Sequence, residues 1–419
     1  MSLFLAMALG PLLAAEGLGL EGFARAETRG ATAPPGSNLP PSAETQVDAG
    51  ISGGTRLGLL NLHLAYSPRA IFNMTAAPSG ATTDVLHSGD ARLDYEISPL
   101  ERLSMEESFS MGQQSFSPIV APQPGAPVKP LDPTLAQIVE IAYLSSQSTL
   151  GYQRALSPRV KLETHAGYTV SGGADAIART VLPLMHSVQF GSSLNWATSP
   201  RDHLSFGLEA NAARFSNAQD EAQPDGSVTR IPVPQEDLLL SGTVSWHTQV
   251  AHYTSVEMSL GGGAGASRQP LGIDWIPTVI AGAGLTQDIP VEKQQLTGSV
   301  RASVSSTIDR TGSGIYQVLD VSALLAYVPV KEIRLSGSAG IGRSLSGDTQ
   351  QGATVVRSDL NMALSPAREV TLMMGVRMLW QRPPDAAFDP SSGLPPGALQ
   401  TGYQWAGYAS LMFADHWLP

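Results

Sequence analysis

"ALSPRVKLETHAGYTV", residues 155–170, sets a Ser-Pro step ahead of a run in which Val160, Leu162, Ala166, Tyr168 and Val170 alternate with Lys161, Glu163, His165 and Thr169. A period of two places successive side chains on opposite faces, which is the pattern of a strand with one apolar and one polar side. Proline presets φ for the first corner of a turn and cannot donate to a ladder, so the phrase reads as a hairpin corner that launches a strand. The phrase recurs in "AYSPRAIFNM" (65–74), "EISPLERLSM" (96–105), "ATSPRDHLSF" (197–206) and "ALSPAREVTL" (363–372). Two variants, "DIPVEKQQLTG" (288–298) and "YVPVKEIRLSG" (327–337), keep the proline, and "TQVAHYT" (248–254) fits an eighth turn without it.

Between these short corners lie longer stretches rich in turn formers: 112–133, 216–235 and 381–400. Short turns at one rim and long loops at the other are the asymmetry of a transmembrane, antiparallel, up-and-down β-barrel. Strand faces agree with it. Leu204, Phe206 and Leu208 share a side opposite Ser205, Gly207, Glu209 and Asn211, and Val370, Leu372, Met374, Val376 and Trp380 oppose Thr371, Gly375, Arg377 and Gln381. The runs reach ten to fourteen residues, where strands of soluble sandwiches average about five or six, and a tilted strand needs about nine to eleven to cross a bilayer. Eight turns join sixteen strands, and one strand more at each end makes about 18, an even number as single-chain barrels require. The closing strand is clear at Tyr403–Phe413, whereas the opening one, "TQVDAGISGG" (45–54), is weak enough to leave 16 open. Glu107 and Arg154 fall on the apolar side, where Arg at the bilayer midplane costs roughly 2–4 kcal/mol, so a bulge or a rim position is expected for them.

Composition excludes several classes. Only 15% of residues are charged, against about 25% in ordinary soluble domains. The net charge is −11 without a Lys/Arg cluster, which opposes nucleic-acid binding. There is no Cys, hence no disulfide framework or thiolate chemistry. The apolar stretch 3–15 followed by Ala24-Arg25-Ala26 fits a signal peptide over 1–26, although a basic start is missing. Residues 27–44 then read as a flexible leader, and 45–419 as the barrel domain. "GLGLEG" (17–22) matches a dinucleotide fingerprint in letters only, because no strand precedes it and no helix follows.

No histidine pair has metal-ligand spacing, and no compact constellation suggests catalysis, so no metal, cofactor or enzymatic activity is expected. What the polar faces do share is a distributed lining: Lys161, Glu163, His165, Glu209, Asn211, Arg301, Arg334, Arg357, Asp359 and Arg377. Charges of mixed sign with many Ser, Thr and Gly suit hydrated polar solutes or a hydrated chain more than one ionic species. About sixteen to eighteen strands leave an aqueous channel, where eight are filled by side chains. Aromatic residues near strand ends, namely Tyr66, Tyr95, Tyr152, Trp196, Trp246, Tyr327, Trp380, Trp405 and Phe413, suit interfacial girdles in contact with outer-membrane lipid.

Taken together, the "SPR" turns, the alternating strands and the C-terminal "YASLMF" resemble outer-membrane porin-like β-barrels over residues 45–419. Strand count and size are also similar to the integral barrels that work with a periplasmic export protein and a co-polymerase in polysaccharide secretion. That resemblance implies the outer membrane of a Gram-negative bacterium and export of a polysaccharide. A general diffusion porin for small polar solutes, a structural or adhesive barrel, and an embedded hydrolase using His165 are the alternatives. The chain departs from the pattern at its end, where Phe413 is followed by "ADHWLP".

Overall fold

Half-polar strands leave every backbone donor and acceptor to be met by neighbouring strands, and closure is the arrangement that leaves no edge unpaired. The computed structural model, which describes residues 19–32, 42–73, 83–114, 141–176, 178–222, 228–269, 272–291, 294–308, 314–346, 352–382 and 401–418, is an 18-stranded antiparallel barrel. Its strands are β1 (Gly19–Ala31), β2 (Ser42–Leu57), β3 (Leu60–Asn73), β4 (Thr83–Ser98), β5 (Glu101–Gln114), β6 (Ile141–Ser157), β7 (Val160–Gly173), β8 (Leu184–Ala197) and β9 (Asp202–Ala222). They continue as β10 (Val228–Ala251), β11 (Thr254–Gln269), β12 (Gly272–Val291), β13 (Gln294–Ile308), β14 (Ile315–Val330), β15 (Ile333–Ser344), β16 (Thr354–Ala367), β17 (Val370–Arg382) and β18 (Gly402–Leu418). Each pairs with its sequence neighbours, and β18 returns to β1 to close the ring. One helical turn, α1 (Ala178–Val181), lies between β7 and β8.

Seven of the eight expected corners are short turns, and the serine before proline has a stated job in three of them. Ser98 Oγ accepts from the Leu100 N–H (3.3 Å), Ser157 Oγ from Arg159 (3.3 Å) and Val160 (3.1 Å), and Ser199 Oγ from Arg201 and Asp202 (3.1 Å each). A hydroxyl that meets the amides left free by the turn is the reason Ser recurs there. The exception is Ser67-Pro68, which runs inside β3, with Pro68 opposite His87 of β4. The β2–β3 corner is instead at Gly58, whose φ of 61° is the left-handed conformation a tight turn demands. Proline still leaves its mark, because the β2–β3 ladder has no paired residues at Ser67 and Pro68.

The other corrections concern the start of the chain and one loop. Residues 19–31, expected to fall in a signal peptide and leader, form β1, and the expected opening strand at 45–54 is part of β2. Ala24, Ala26 and Thr28 face outward while Phe23, Arg25, Glu27 and Arg29 face inward, and small residues at alternate positions imitate an A-x-A cleavage site. The barrel therefore runs from Gly19, not from 45, and a cut after Ala26 would divide its closing strand. Residues 1–18 and 33–41, the remainder of the expected signal and leader, lie outside the described residues. The stretch 216–235 is a paired extension of β9 and β10 rather than a loop, in register from Ser216 opposite Pro234 to Ala222 opposite Val228. Most of 112–133 and 381–400 falls outside the described residues.

The register carries one face right round the ring. Trp196, Leu204, Trp246 and Met258 are cross-strand neighbours on the outer face, as are Leu360, Val376 and Gly407. Outer leucines such as Leu208 and Leu260 are each 69% exposed, a surface that is stable only against an apolar solvent.

Candidate functional site

All ten expected lining residues project to the inner face, but they fall into two groups. Lys161, Glu163, Glu209, Arg301 and Arg334 are exposed to the lumen. Glu163 accepts from Gln153 Nε2 (2.9 Å), and the Arg301 guanidinium spans β12 to reach both carboxylate oxygens of Glu257 (3.1 and 3.0 Å). Arg357, Asp359 and Arg377 are instead consumed in one another: Asp359 accepts from Arg377 Nε, from Arg357 Nε (3.1 Å) and from Ser338 Oγ (3.1 Å). Asp359 is 3% and Arg377 1% exposed, so this trio belongs to the wall. Asn361 beside it accepts from the Tyr408 hydroxyl.

His165 does not stand free as a base would. Its ring lies across the face of Gly191 on β8, where a Cβ would come within 2.2 Å of the imidazole. Asn211 is on the same inner surface, two residues from Ala213.

Two inner features escaped the sequence reading. One is the buried polar row of β1 to β3, in which Arg25 pairs with Glu27, Arg29 with Glu44, and Arg69 Nε with Asp48 (2.6 Å). It was hidden because β1 reads as an export signal. The other is a turn-end cluster in which His203 and His247 face each other in direct register, ring centroids 6.3 Å apart, near Asp288 and Arg201. Among the described residues no group of His, Asp and Glu has the arrangement to hold a metal ion.

Apolar residues gather on the inner face at the loop end. Phe215 and Ala213 pack on Ile308 and Ile315, the latter reaching over to Gly265 of β11, so the facing ends of β13 and β14 bend into the mouth. Strict alternation from Val300 would have put Ile308 on the outer face, and the bend turns it inward. The segment holding α1 folds over Ile141 and Tyr143, with Leu182 1% and Ala178 5% exposed, and Asp175 Oδ1 caps it by accepting from the Ala178 N–H (2.8 Å). Val355, Leu379 and Ala406 make a third cluster with Ala31. Below these, the wall between Glu257 and Arg357 has a recess of ≈ 170 Å³ whose floor is Ser259, Gly282, Gly284, Ser322 and Gly340.

On the outer face, Tyr95, Tyr152, Trp196, Trp246, Tyr327 and Phe413 lie towards the turn end, and Trp380 and Trp405 towards the loop end. Tyr66 sits higher than a turn-end girdle residue, with its hydroxyl 2.7 Å from His87 Nδ1. Tyr403 and Trp275, 61% and 64% exposed, extend the loop-end set. Arg154 is three residues from its turn and pairs with Glu101 (3.3 Å), which the Tyr152 hydroxyl also contacts (3.1 Å). Glu107 faces outward in mid-strand between Ala91 and Ser148.

Comparison with known proteins agrees with this geometry. The profile of the EpsX exopolysaccharide export family matches residues 96–392. No curated protein matches the chain by sequence. Among solved structures, the apoprotein form of the FrpB iron transporter from Neisseria meningitidis (F5-1 variant) is similar with a TM-score of 0.57 and 11% identity, over 95% of this chain and 67% of that one. OccAB3 from Acinetobacter baumannii is similar with a TM-score of 0.47 and 9% identity, over 96% and 100%. At such identities the likeness concerns the fold alone.

Proposed function

We propose, from the premise that this chain belongs to the EpsX exopolysaccharide export family, that it is an outer-membrane pore through which a hydrated polysaccharide leaves the cell. The observation that carries the reading is the family match over most of the barrel. The inner wall supports it: exposed charges of both signs and a floor of Ser and Gly offer a neutral sugar chain many weak, exchangeable hydrogen bonds and no strong trap. An export pore must let its cargo leave as readily as it enters. The short turns then face the periplasm and the long loops the outside, as in other bacterial barrels. A periplasmic export protein and a co-polymerase are the partners this reading calls for, meeting the barrel at its turn end, and the chain itself does no chemistry on the polymer.

Deletion of the gene tests this. The expected result is loss of cell-surface polysaccharide with polymer retained in the periplasm, restored by the wild-type chain. Unchanged surface polysaccharide, together with loss of small-solute uptake, would assign the barrel to general diffusion instead.

A further inference from the structure

The net charge of −11 makes the basic rim of the outer face conspicuous. His186 of β8, Arg214 of β9, Glu236 of β10 and Arg268 of β11 are successive cross-strand partners on the outer face at the loop end. The Tyr168 hydroxyl is 2.9 Å from His186 Nδ1, and Arg268 Nη1 is 3.4 Å from Glu236, with both of those side chains well exposed. A second row repeats the motif elsewhere on the ring: Arg343 of β15 and Arg382 of β17 flank Thr354 of β16. The first row sets two arginines and a histidine against one carboxylate.

Their height gives the charge a meaning. One outward step towards the turns, the first row stands on Val188, Ala212, Leu238, Ala266 and Trp275, and the second on Ile341, Val356, Trp380 and Tyr403. Arginines therefore lie directly above the edge of the apolar belt, beside its aromatic residues, at the level of lipid headgroups. At the opposite edge, Arg154 is neutralised by Glu101. Guanidinium matches phosphate with paired, charge-assisted hydrogen bonds, and clustered basic residues at a membrane interface select anionic headgroups.

We propose that these rows bind phosphorylated glycolipid headgroups of the outer leaflet and so anchor the barrel at a fixed depth and tilt. The inference rests on the membrane location and orientation given above, and not on what passes through the lumen. Lipid adjacent to Arg214 and Arg268 is seated with its phosphate on the guanidinium groups and its acyl chains along the row from Val188 to Trp275.

The test uses the full chain in detergent, stripped of lipid and exposed in parallel to bis-phosphorylated lipid A, its dephosphorylated form, and lipid A with excess inorganic phosphate. Bound lipid is counted by native mass spectrometry. The expected result is retention of the phosphorylated lipid about tenfold above the dephosphorylated one, little displacement by inorganic phosphate, and loss of that preference in the variant carrying Arg214→Gln, Arg268→Gln, Arg343→Gln and Arg382→Gln but not in the variant with Lys at the same four positions. Equal retention of the two lipids by the wild-type chain overturns the proposal whether or not the variants fold, and so does an unchanged preference in the folded Gln variant. Displacement by inorganic phosphate alone would make the rows a phosphate site and also overturn it. Bilayer conductance separates the two readings: a silent barrel that still prefers lipid A fails as a pore only, and a conducting barrel without the preference fails here only.

Discussion

At the turn end, the inner wall presents Lys161, Glu163, Arg334 and the His203–His247 pair to the lumen, whereas at the loop end it presents two packed apolar clusters, one with Phe215 and Ile315 and the other with Tyr143 and Leu182. The same strands supply both halves, so the difference is one of side chains, of the segment folded inward after β7 and of the inward-bent ends of β13 and β14. A polar half costs nothing to keep wet, while an apolar collar inside a barrel is stable only if it excludes water by packing. Among the described residues the inner wall is thus polar towards the turns and carries packed apolar clusters towards the loops. Between them, the wall is held by the Arg357–Asp359–Arg377 trio and the Arg25–Glu27 pair, next to the β1–β18 seam where the ring closes.

Variants of that middle zone carry the largest expected effect. Asp359→Ala leaves the buried Arg377 and half-buried Arg357 guanidinium groups without their shared carboxylate, and a loss of roughly 3–5 kcal/mol is expected. Thermal unfolding in detergent, read by the shift from folded to unfolded migration on a gel, checks it; a variant as stable as wild type would show that the trio is not part of the frame. Next comes the collar. Phe215→Ala removes the ring against Ala213, Ile308 and Ile315, at an expected cost of about 3 kcal/mol, and it should raise single-channel conductance. An unchanged conductance would place the narrowing elsewhere.

The turn end should behave differently under the same kind of change. Ser157→Ala, which removes the acceptor for two turn amides, is expected to cost only about 1 kcal/mol in the same melting assay. Arg301 shares the mid-strand register row of Arg357 but faces the lumen; Arg301→Ala breaks an exposed pair with Glu257, so stability should move by no more than about 1 kcal/mol, while the anion-to-cation permeability ratio falls because a lumenal positive charge is lost. A large stability loss here, or an unmoved ratio, would erase the distinction between a charge exposed to the lumen and one locked in the wall.

How much of this was legible from residues follows the same division. Alternation and turns are local, and they give a count of about 18 strands, the faces of β7, β9 and β17, and seven of the eight corners. Ser67-Pro68 misled because the motif is a property of four residues, while its use in a turn depends on whether Ser67 finds free amides to cap; in β3 it does not, and its carbonyl instead accepts from Ser88 Oγ (2.7 Å). β1 was missed because Ala24 and Ala26 are as small as a cleavage site requires, and only the pairing with β18 and β2 gives Arg25 and Glu27 their buried setting. The ten inner residues could be placed by parity, yet parity cannot tell Arg301 in water from Arg377 locked in the wall. That depends on cross-strand partners, Asp359 on the next strand for Arg377 and Glu257 two strands away for Arg301.

Conductance of the purified barrel in planar bilayers, with saccharides of graded length added from either side, separates a hydrated pore from a closed barrel. An ion-conducting lumen that longer saccharides block in a length-dependent way is expected, with Phe215→Ala conducting more than wild type. A barrel that conducts nothing, with Phe215→Ala and Leu182→Ala equally silent, would contradict a hydrated pore narrowed by that collar.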